Sequence, residues 1–185
     1  MITDPHLTQR ASPVNFLGPQ RLVEPGISLT DLPVIDIVII SHNHFDHLDR
    51  KTVSALVEQQ PANPPLFLVP LGLKDWFADI GINEKVIELD WWQSHRVGDW
   101  ELNAVPVQHW SRRGLFDTNK TLWAGWVIEA PEQKMFFAGD TGYSQDFKDI
   151  GERFGIMDIS LIPIGAYAPR WFLSLIHISE PTRPY

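Results

Sequence analysis

The chain is predicted to fold as an α/β protein, and two features of its sequence carry that prediction. Short runs of β-branched and apolar residues, typical of buried strands, alternate along the chain with segments of helical periodicity. Polar residues able to bind metals or move protons directly follow several of these runs, where loops leave the edge of a sheet. With 185 residues, the chain is long enough for one domain with a sizeable core and short for two.

Short apolar segments bounded by turn residues are the predicted strands. They are Pro33–Ile40, Pro65–Pro70, Lys85–Leu89, Glu101–Gln108, Leu122–Ala130, Lys134–Asp140 and Asp158–Gly165. Residues 1–32 are rich in Pro and Gly, which predicts an irregular, extended segment, although "MITDP" resembles the end of a strand.

Apolar residues at helical spacing predict three helices between these strands. Asp49 is a candidate N-cap for the first helix and Ser144 for the third. The apolar positions are Val53, Leu56 and Val57 in the first helix, Leu73, Trp76, Phe77 and Ile80 in the second, and Phe147, Ile150 and Phe154 in the third.

Composition excludes several functional classes. The formal net charge is −8, with 15 basic against 23 acidic residues, so we expect no nucleic-acid partner. The chain has no cysteine, which excludes disulfides and thiolate metal sites. It shows no apolar run of transmembrane length and no signal peptide, so we expect a cytoplasmic or peripheral membrane location. Composition leaves the oligomeric state open.

Both ends of the sequence have unusual features. Leu173–Arg183 read "LSLIHISEPTR", which matches residue for residue the translation of a transposase-based sequencing-library adapter. We therefore expect a partial domain over residues 1–172, followed by a non-native, adapter-derived tail over residues 173–185. We also expect residues to be missing before Met1.

The stretch "SHNHFDHLD" carries the strongest chemical signal in the sequence. His42 and His44 are two positions apart on an extended segment, so their side chains point the same way and can share one ion. Asp46 and His47 follow where the chain turns toward a helix, and a second ion would use them. Imidazole and carboxylate suit borderline metals such as zinc. The alternative is a polar loop with solvated histidines.

Two later strand ends add candidate ligands. His109 ends "AVPVQH" and Asp140 ends "FFAGD", each after an apolar strand. Arg112 and Arg113 follow His109, and either guanidinium could bind a substrate phosphate, unless this loop is merely charged and solvated. Asp49 is either a helix cap or a hydrogen-bonding partner of a ligating histidine.

Taken together, the motif His-x-His-x-Asp-His, a strand-end His and an Asp after "FFAG" resemble the metallo-β-lactamase superfamily. Longer segments resemble its N-acyl-phosphatidylethanolamine-hydrolysing phospholipase D-like branch. These segments are "RASPVNFLGPQRL", "DLPVIDIVIISHNHFDHLD", "QHWSRRG", "LWAGWVIE", "FAGDTGY" and "LIPIGAYAPRWF". The resemblance implies a metallo-β-lactamase-like αβ/βα sandwich, incomplete at both ends.

The resemblance also implies a ligand set and an activity. His42, His44 and His109 would hold one Zn²⁺, Asp46 and His47 a second, and Asp140 would bridge both. A final His ligand of the family has no counterpart in this sequence. Asp46 and Asp140 are the implied catalytic carboxylates, in a zinc-dependent phosphodiesterase that cleaves N-acyl-phosphatidylethanolamine-type phospholipids with a metal-bound hydroxide. The alternatives are a lactonase or nuclease-like hydrolase of the same fold, or an inactive fragment.

Overall fold

The computed structural model describes residues 1–14 and 16–164. It divides into two compact units, the first formed by Met1–Glu88 with Ser111–Leu122, and the second, within the described residues, by Leu89–Trp110 with residues 123–164. The expected adapter-derived tail, residues 173–185, lies outside the described residues. None of the described helices is long and apolar enough to span a lipid bilayer.

The first unit is built on a four-stranded sheet in the order β1-β2-β3-β4. Its strands are β1 (Ile2–Thr3), β2 (Ile37–Ile39), β3 (Leu66–Pro70) and β4 (Val86–Leu89). β1, β2 and β3 are parallel neighbours, so their carboxyl ends lie at one edge of the sheet. The histidine cluster begins at that edge.

Two α-helices and a 3₁₀ turn complete the first unit: η1 (Leu29–Asp31), α1 (Arg50–Gln59) and α2 (Lys74–Asp79). Asp49 caps α1 as predicted, because its carboxylate accepts a hydrogen bond from the Lys51 amide. Thr52 Oγ1 also donates to Asp49, at 2.6 Å. The helix packs Val53 and Leu56 into a core that contains Val38 of β2 and Phe67 of β3.

The second unit is built on a five-stranded sheet in sequence order. Its strands are β5 (Ser94–Val97), β6 (Trp100–Val105), β7 (Gly125–Ala130), β8 (Gln133–Phe137) and β9 (Ile159–Leu161). All neighbours are antiparallel except β8 and β9, which are parallel. Helix α3 (Asp146–Phe154) buries Ile150 against Val127 and Phe136.

The structure contains a strand or helix at each predicted position, and it corrects one cap. Ser144 is not the N-cap of α3, because the helix starts one residue later and Gln145 occupies the cap position. The Ser144 hydroxyl donates instead to the Asp146 carboxylate at 2.5 Å.

The edge strand β5 was not predicted, because its exposed polar residues Ser94 and Arg96 lack the apolar run that marks a buried strand.

Candidate metal site

The histidine loop, residues Ser41–Leu48, leaves the carboxyl end of β2. The Ile40 amide still donates to Leu68 of β3, at 3.0 Å, so the loop starts directly at the sheet edge. The amides of His47 and Leu48 both donate to the His44 carbonyl, which turns the chain back toward α1. This turn lets His47 approach the two histidines that precede it.

The loop brings its three imidazoles together. His42 Nε2 lies 2.8 Å from His44 Nδ1, so these two nitrogens face the same point. The ring centroids of His42 and His47 are 4.1 Å apart. Asp46 is exposed beside them, with a carboxylate oxygen 3.7 Å from His47 Nε2. His42 therefore contacts both His44 and His47, and Asp46 lies beside His47; the donor atoms of these four predicted ligands suit zinc or iron.

Asp4, which sequence reasoning missed, organises this cluster from the end of β1. It has a φ of 41°, in the left-handed region that aspartate tolerates better than most residues. Its carboxylate accepts hydrogen bonds from the Ser41 amide at 2.7 Å and from the Ser41 hydroxyl at 2.5 Å. His47 Nδ1 donates to the same carboxylate at 2.7 Å.

These bonds fix which ring nitrogen of His42 and of His47 can bind a metal. Because Ser41 Oγ gives its proton to Asp4, it accepts from His42 Nδ1, 2.8 Å away. The Nδ1 atoms of His42 and His47 are therefore both donors toward the protein, and their Nε2 atoms keep the lone pairs that bind metals. Asp4, His42 and His47 also each offer a ligand atom within 4.8 Å of the other two.

Arg113 supports the histidine loop from behind. Its Nη1 donates to the carbonyls of Asn43 at 2.8 Å and Leu48 at 2.7 Å, near the two ends of the loop. Its guanidinium carbon lies 4.1 Å from the Phe45 ring centroid and 5.2 Å from that of Trp76. Burial lowers the pKa of Arg113 to about 10, partly opposed by nearby Asp49 and Asp117, so the guanidinium stays charged at neutral pH.

The structure thus assigns different surroundings to the two arginines that were predicted to bind phosphate. Arg113 is partly buried and already bonded to two carbonyls, so the alternative of a solvated side chain is wrong for it. Arg112 is exposed, and its Nε donates to the Gly114 carbonyl at 2.9 Å. Contact of either residue with a substrate stays a prediction.

A folded loop, residues Ser111–Asn119, carries both arginines. Its ends are joined by the Asn119 amide, which donates to the Ser111 carbonyl at 2.8 Å. Burial would raise the pKa of the Asp117 carboxyl, but the amides of Gly114 and Arg113 donate to it and hold its pKa below the ordinary value. Asp117 is therefore ionised at neutral pH and closes the turn.

His109 and Asp140 belong to the second unit, which brings their segments together. Gln108 and Gly142 form an isolated antiparallel bridge, and the Gly142 amide donates to the Gln108 carbonyl at 2.9 Å. The buried Thr141 hydroxyl accepts from the Gln108 amide at 3.0 Å. His109 and Asp140 thus flank one small bridge, and both are partly buried.

A family model described as "Beta-lactamase superfamily domain" matches residues 1–181. The chain belongs to this family, and its fold is the metallo-β-lactamase fold that the sequence predicted. Among solved structures, CmlA, a diiron β-hydroxylase from Streptomyces venezuelae, superposes with a TM-score of 0.59 at 22% identity, over 85% of this chain and 30% of that one.

The phospholipase D-like resemblance is confirmed by two curated relatives. One is the N-acyl-phosphatidylethanolamine-hydrolyzing phospholipase D 1 of Caenorhabditis elegans, 40% identical over 96% of this chain and 52% of that protein. The other is the mitochondrial enzyme of that name from Saccharomyces cerevisiae, 38% identical over 88% of this chain and 36% of that protein. The chain spans about half the length, or less, of these relatives.

Replacing Asp4 by Asn is expected to weaken metal binding by about 10- to 100-fold, the usual cost of losing a hydrogen bond to a ligating histidine. The amide keeps the volume of the carboxylate, but its single oxygen cannot accept all three hydrogen bonds that Asp4 receives from the Ser41 amide, the Ser41 hydroxyl and His47. Competition of Zn²⁺ against a chromophoric chelator measures the affinity. Asp36→Asn, which neutralises an exposed carboxylate next to β2, is the matched control. Equal affinities of Asp4→Asn and the unmodified chain would refute this role.

Replacing Arg113 by Met is expected to lower the free energy of unfolding by about 2–4 kcal/mol, because the carbonyls of Asn43 and Leu48 lose a buried charged donor. Urea denaturation followed by tryptophan fluorescence measures the change. The control is Arg112→Met, which removes the neighbouring exposed guanidinium and should cost under about 1 kcal/mol. Equal losses in the two variants would contradict the supporting role of Arg113.

Proposed function

We propose that this chain is the metal-binding part of a hydrolase that cleaves phosphodiester bonds in N-acyl-phosphatidylethanolamine-type phospholipids. The observation that carries the proposal is the cluster of three imidazoles at the end of β2, with Asp4 fixing the tautomers of two of them. The names and extensive identity of the worm and yeast relatives support the substrate class.

The proposed ligand set is the one that the family resemblance implies. His42, His44 and His109 would hold one Zn²⁺, Asp46 and His47 a second, and Asp140 would contact both. All of these donors are imidazole nitrogens or carboxylate oxygens, the donor set that dinuclear hydrolytic sites use. Two such cations, when bound, supply Lewis-acid chemistry and lower the pKa of a water molecule toward neutrality.

The protein's own residues have three tasks in this proposal. The carboxylates of Asp46 and Asp140 would orient the attacking water, and one of them would accept its proton. Asp4 keeps His42 and His47 in the tautomer that ligation requires. The exposed guanidinium of Arg112 binds a non-bridging phosphate oxygen, since its planar fork matches a phosphate.

Hydrolysis of a substrate panel tests the proposal. N-acyl-phosphatidylethanolamine and a soluble model phosphodiester are expected to be cleaved, while a lactone and single-stranded DNA are not. Chelation should abolish turnover, and Zn²⁺ should restore it with two metal ions per chain by elemental analysis. Asp140→Asn should lower turnover at least about 100-fold, since it removes a proposed ligand.

His95→Asn, in the edge strand β5, is the matched control and should leave metal content and turnover unchanged. Preferred hydrolysis of the lactone would assign the chain to another substrate class of the same fold. Metal content below one per chain, without turnover on any substrate, would show that the chain binds no functional metal pair.

A further inference from the structure

The two candidate ligands of the second unit lie beyond the ends of strands that are not neighbours in the sheet. β6 ends at Val105 and β8 at Phe137, with His109 four residues and Asp140 three residues further along the chain. β7 lies between these two strands, so no ladder of the sheet joins the segments that follow them. The sheet by itself therefore leaves the position of His109 relative to Asp140 open.

A threonine side chain completes the contact between these two segments. The Gly142 amide donates to the Gln108 carbonyl at 2.9 Å, which is one of the two bonds that a closely spaced antiparallel pair exchanges. On the other side of the pair, the Gln108 amide donates to Thr141 Oγ1 at 3.0 Å, and this hydroxyl donates to the Gly142 carbonyl at 2.6 Å. We call these two bonds through Thr141 Oγ1 the hydroxyl relay.

The hydroxyl relay has a defined direction and lies away from water. Thr141 is fully buried, and its hydroxyl acts both as a donor and as an acceptor. Because the hydroxyl proton points to Gly142, a lone pair of the same oxygen faces the Gln108 amide. A hydrogen bond that both donates and accepts in a buried setting is stronger than either bond alone in water. The relay therefore fixes the spacing of the two segments at this point.

Each segment is also anchored on its outer side. Trp123 Nε1 donates to the Val107 carbonyl at 2.8 Å, and a Cβ on Gly125 would meet Val107 Cγ1 at 2.8 Å, so Val107 is closely packed. The Ala138 amide donates to the Leu161 carbonyl of β9 at 3.1 Å. Both segments are thus held just before their candidate ligands, and the hydroxyl relay joins one to the other.

We propose that Thr141 is a positioning residue, whose hydroxyl sets the separation and direction of His109 and Asp140 for metal binding. Thr141 directly follows Asp140 in the chain and Gln108 directly precedes His109, so the relay joins the neighbours of both candidate ligands. Metal affinity depends on such supporting bonds, because ligands must be held in place before the ion binds. The proposal rests on the proposed function for the identity of the two ligands.

Metal binding by two Thr141 variants tests the proposal. Thr141→Val keeps the shape of the side chain but removes the hydroxyl relay, so it should weaken Zn²⁺ binding about tenfold in competition with a chromophoric chelator. Thr141→Ser keeps the hydroxyl and should bind Zn²⁺ like the unmodified chain. The visible absorption of bound Co²⁺ depends on the geometry of its ligands. This spectrum should change in Thr141→Val and be retained in Thr141→Ser.

Thr121→Val is the matched control, since Thr121 is partly buried and its hydroxyl bonds to none of the described residues. This control should leave the Zn²⁺ affinity and the Co²⁺ spectrum unchanged. Thr141→Ala removes the same hydroxyl with a smaller side chain and should reproduce the effects of Thr141→Val. If both hydroxyl-free variants melt at a lower temperature but keep the Zn²⁺ affinity and the Co²⁺ spectrum, Thr141 is merely structural and the proposal is overturned.

Amide hydrogen exchange without metal separates this proposal from the proposed function. The Gln108 amide should exchange at least about tenfold faster in Thr141→Val, while the Ala138 amide, bonded to Leu161, should keep its rate. If the unmodified chain takes up no Zn²⁺, the proposed function fails, and the exchange rates still decide whether the hydroxyl holds the two segments. Equal Gln108 rates in Thr141→Val and the unmodified chain would overturn the positioning role.

Discussion

The geometry of the histidine loop depends on the carboxylate of Asp4. This side chain, at the end of β1, accepts hydrogen bonds from the Ser41 amide and hydroxyl. It also fixes two imidazoles, that of His47 directly and that of His42 through the Ser41 hydroxyl. β1 has only two residues, paired in register with Val38 and Ile39 of β2. A slip of one residue would turn Asp4 away from Ser41. The shortest parallel strand of the fold therefore sets the tautomers of the candidate metal ligands.

The loop Ser111–Asn119 combines a partly buried cation with two exposed apolar side chains. Arg113 bonds the histidine loop near both ends and stacks on Phe45 and Trp76, while Leu115 and Phe116 point into solvent a few residues later. Asp117 joins these two parts of the loop, because it closes the turn after Arg113.

Local sequence pattern was sufficient to predict much of the fold and the histidine cluster. It was not sufficient to predict that Asp4 and Arg113 hold the cluster in place. The motif around His42 follows a β-branched run, and both signals lie within residues 33–47. Asp4 contacts Ser41 and His47 across 37 and 43 positions of sequence, and Arg113 contacts Asn43 across 70. Such contacts arise from strand pairing and packing, which no window of sequence displays. A polar residue ending a strand parallel to β2 was the signal available for Asp4.

Specificity in this fold has to come from surfaces around the metal ligands rather than from the ligands themselves. CmlA, described as a diiron β-hydroxylase, shares the fold, and so do relatives named for phospholipid hydrolysis, so neither the fold nor an imidazole–carboxylate donor set fixes the reaction. The first unit offers such a surface, since a cavity of about 760 Å³ is bordered by Phe45 and Leu48 of the histidine loop and is lined by both cations and carboxylates.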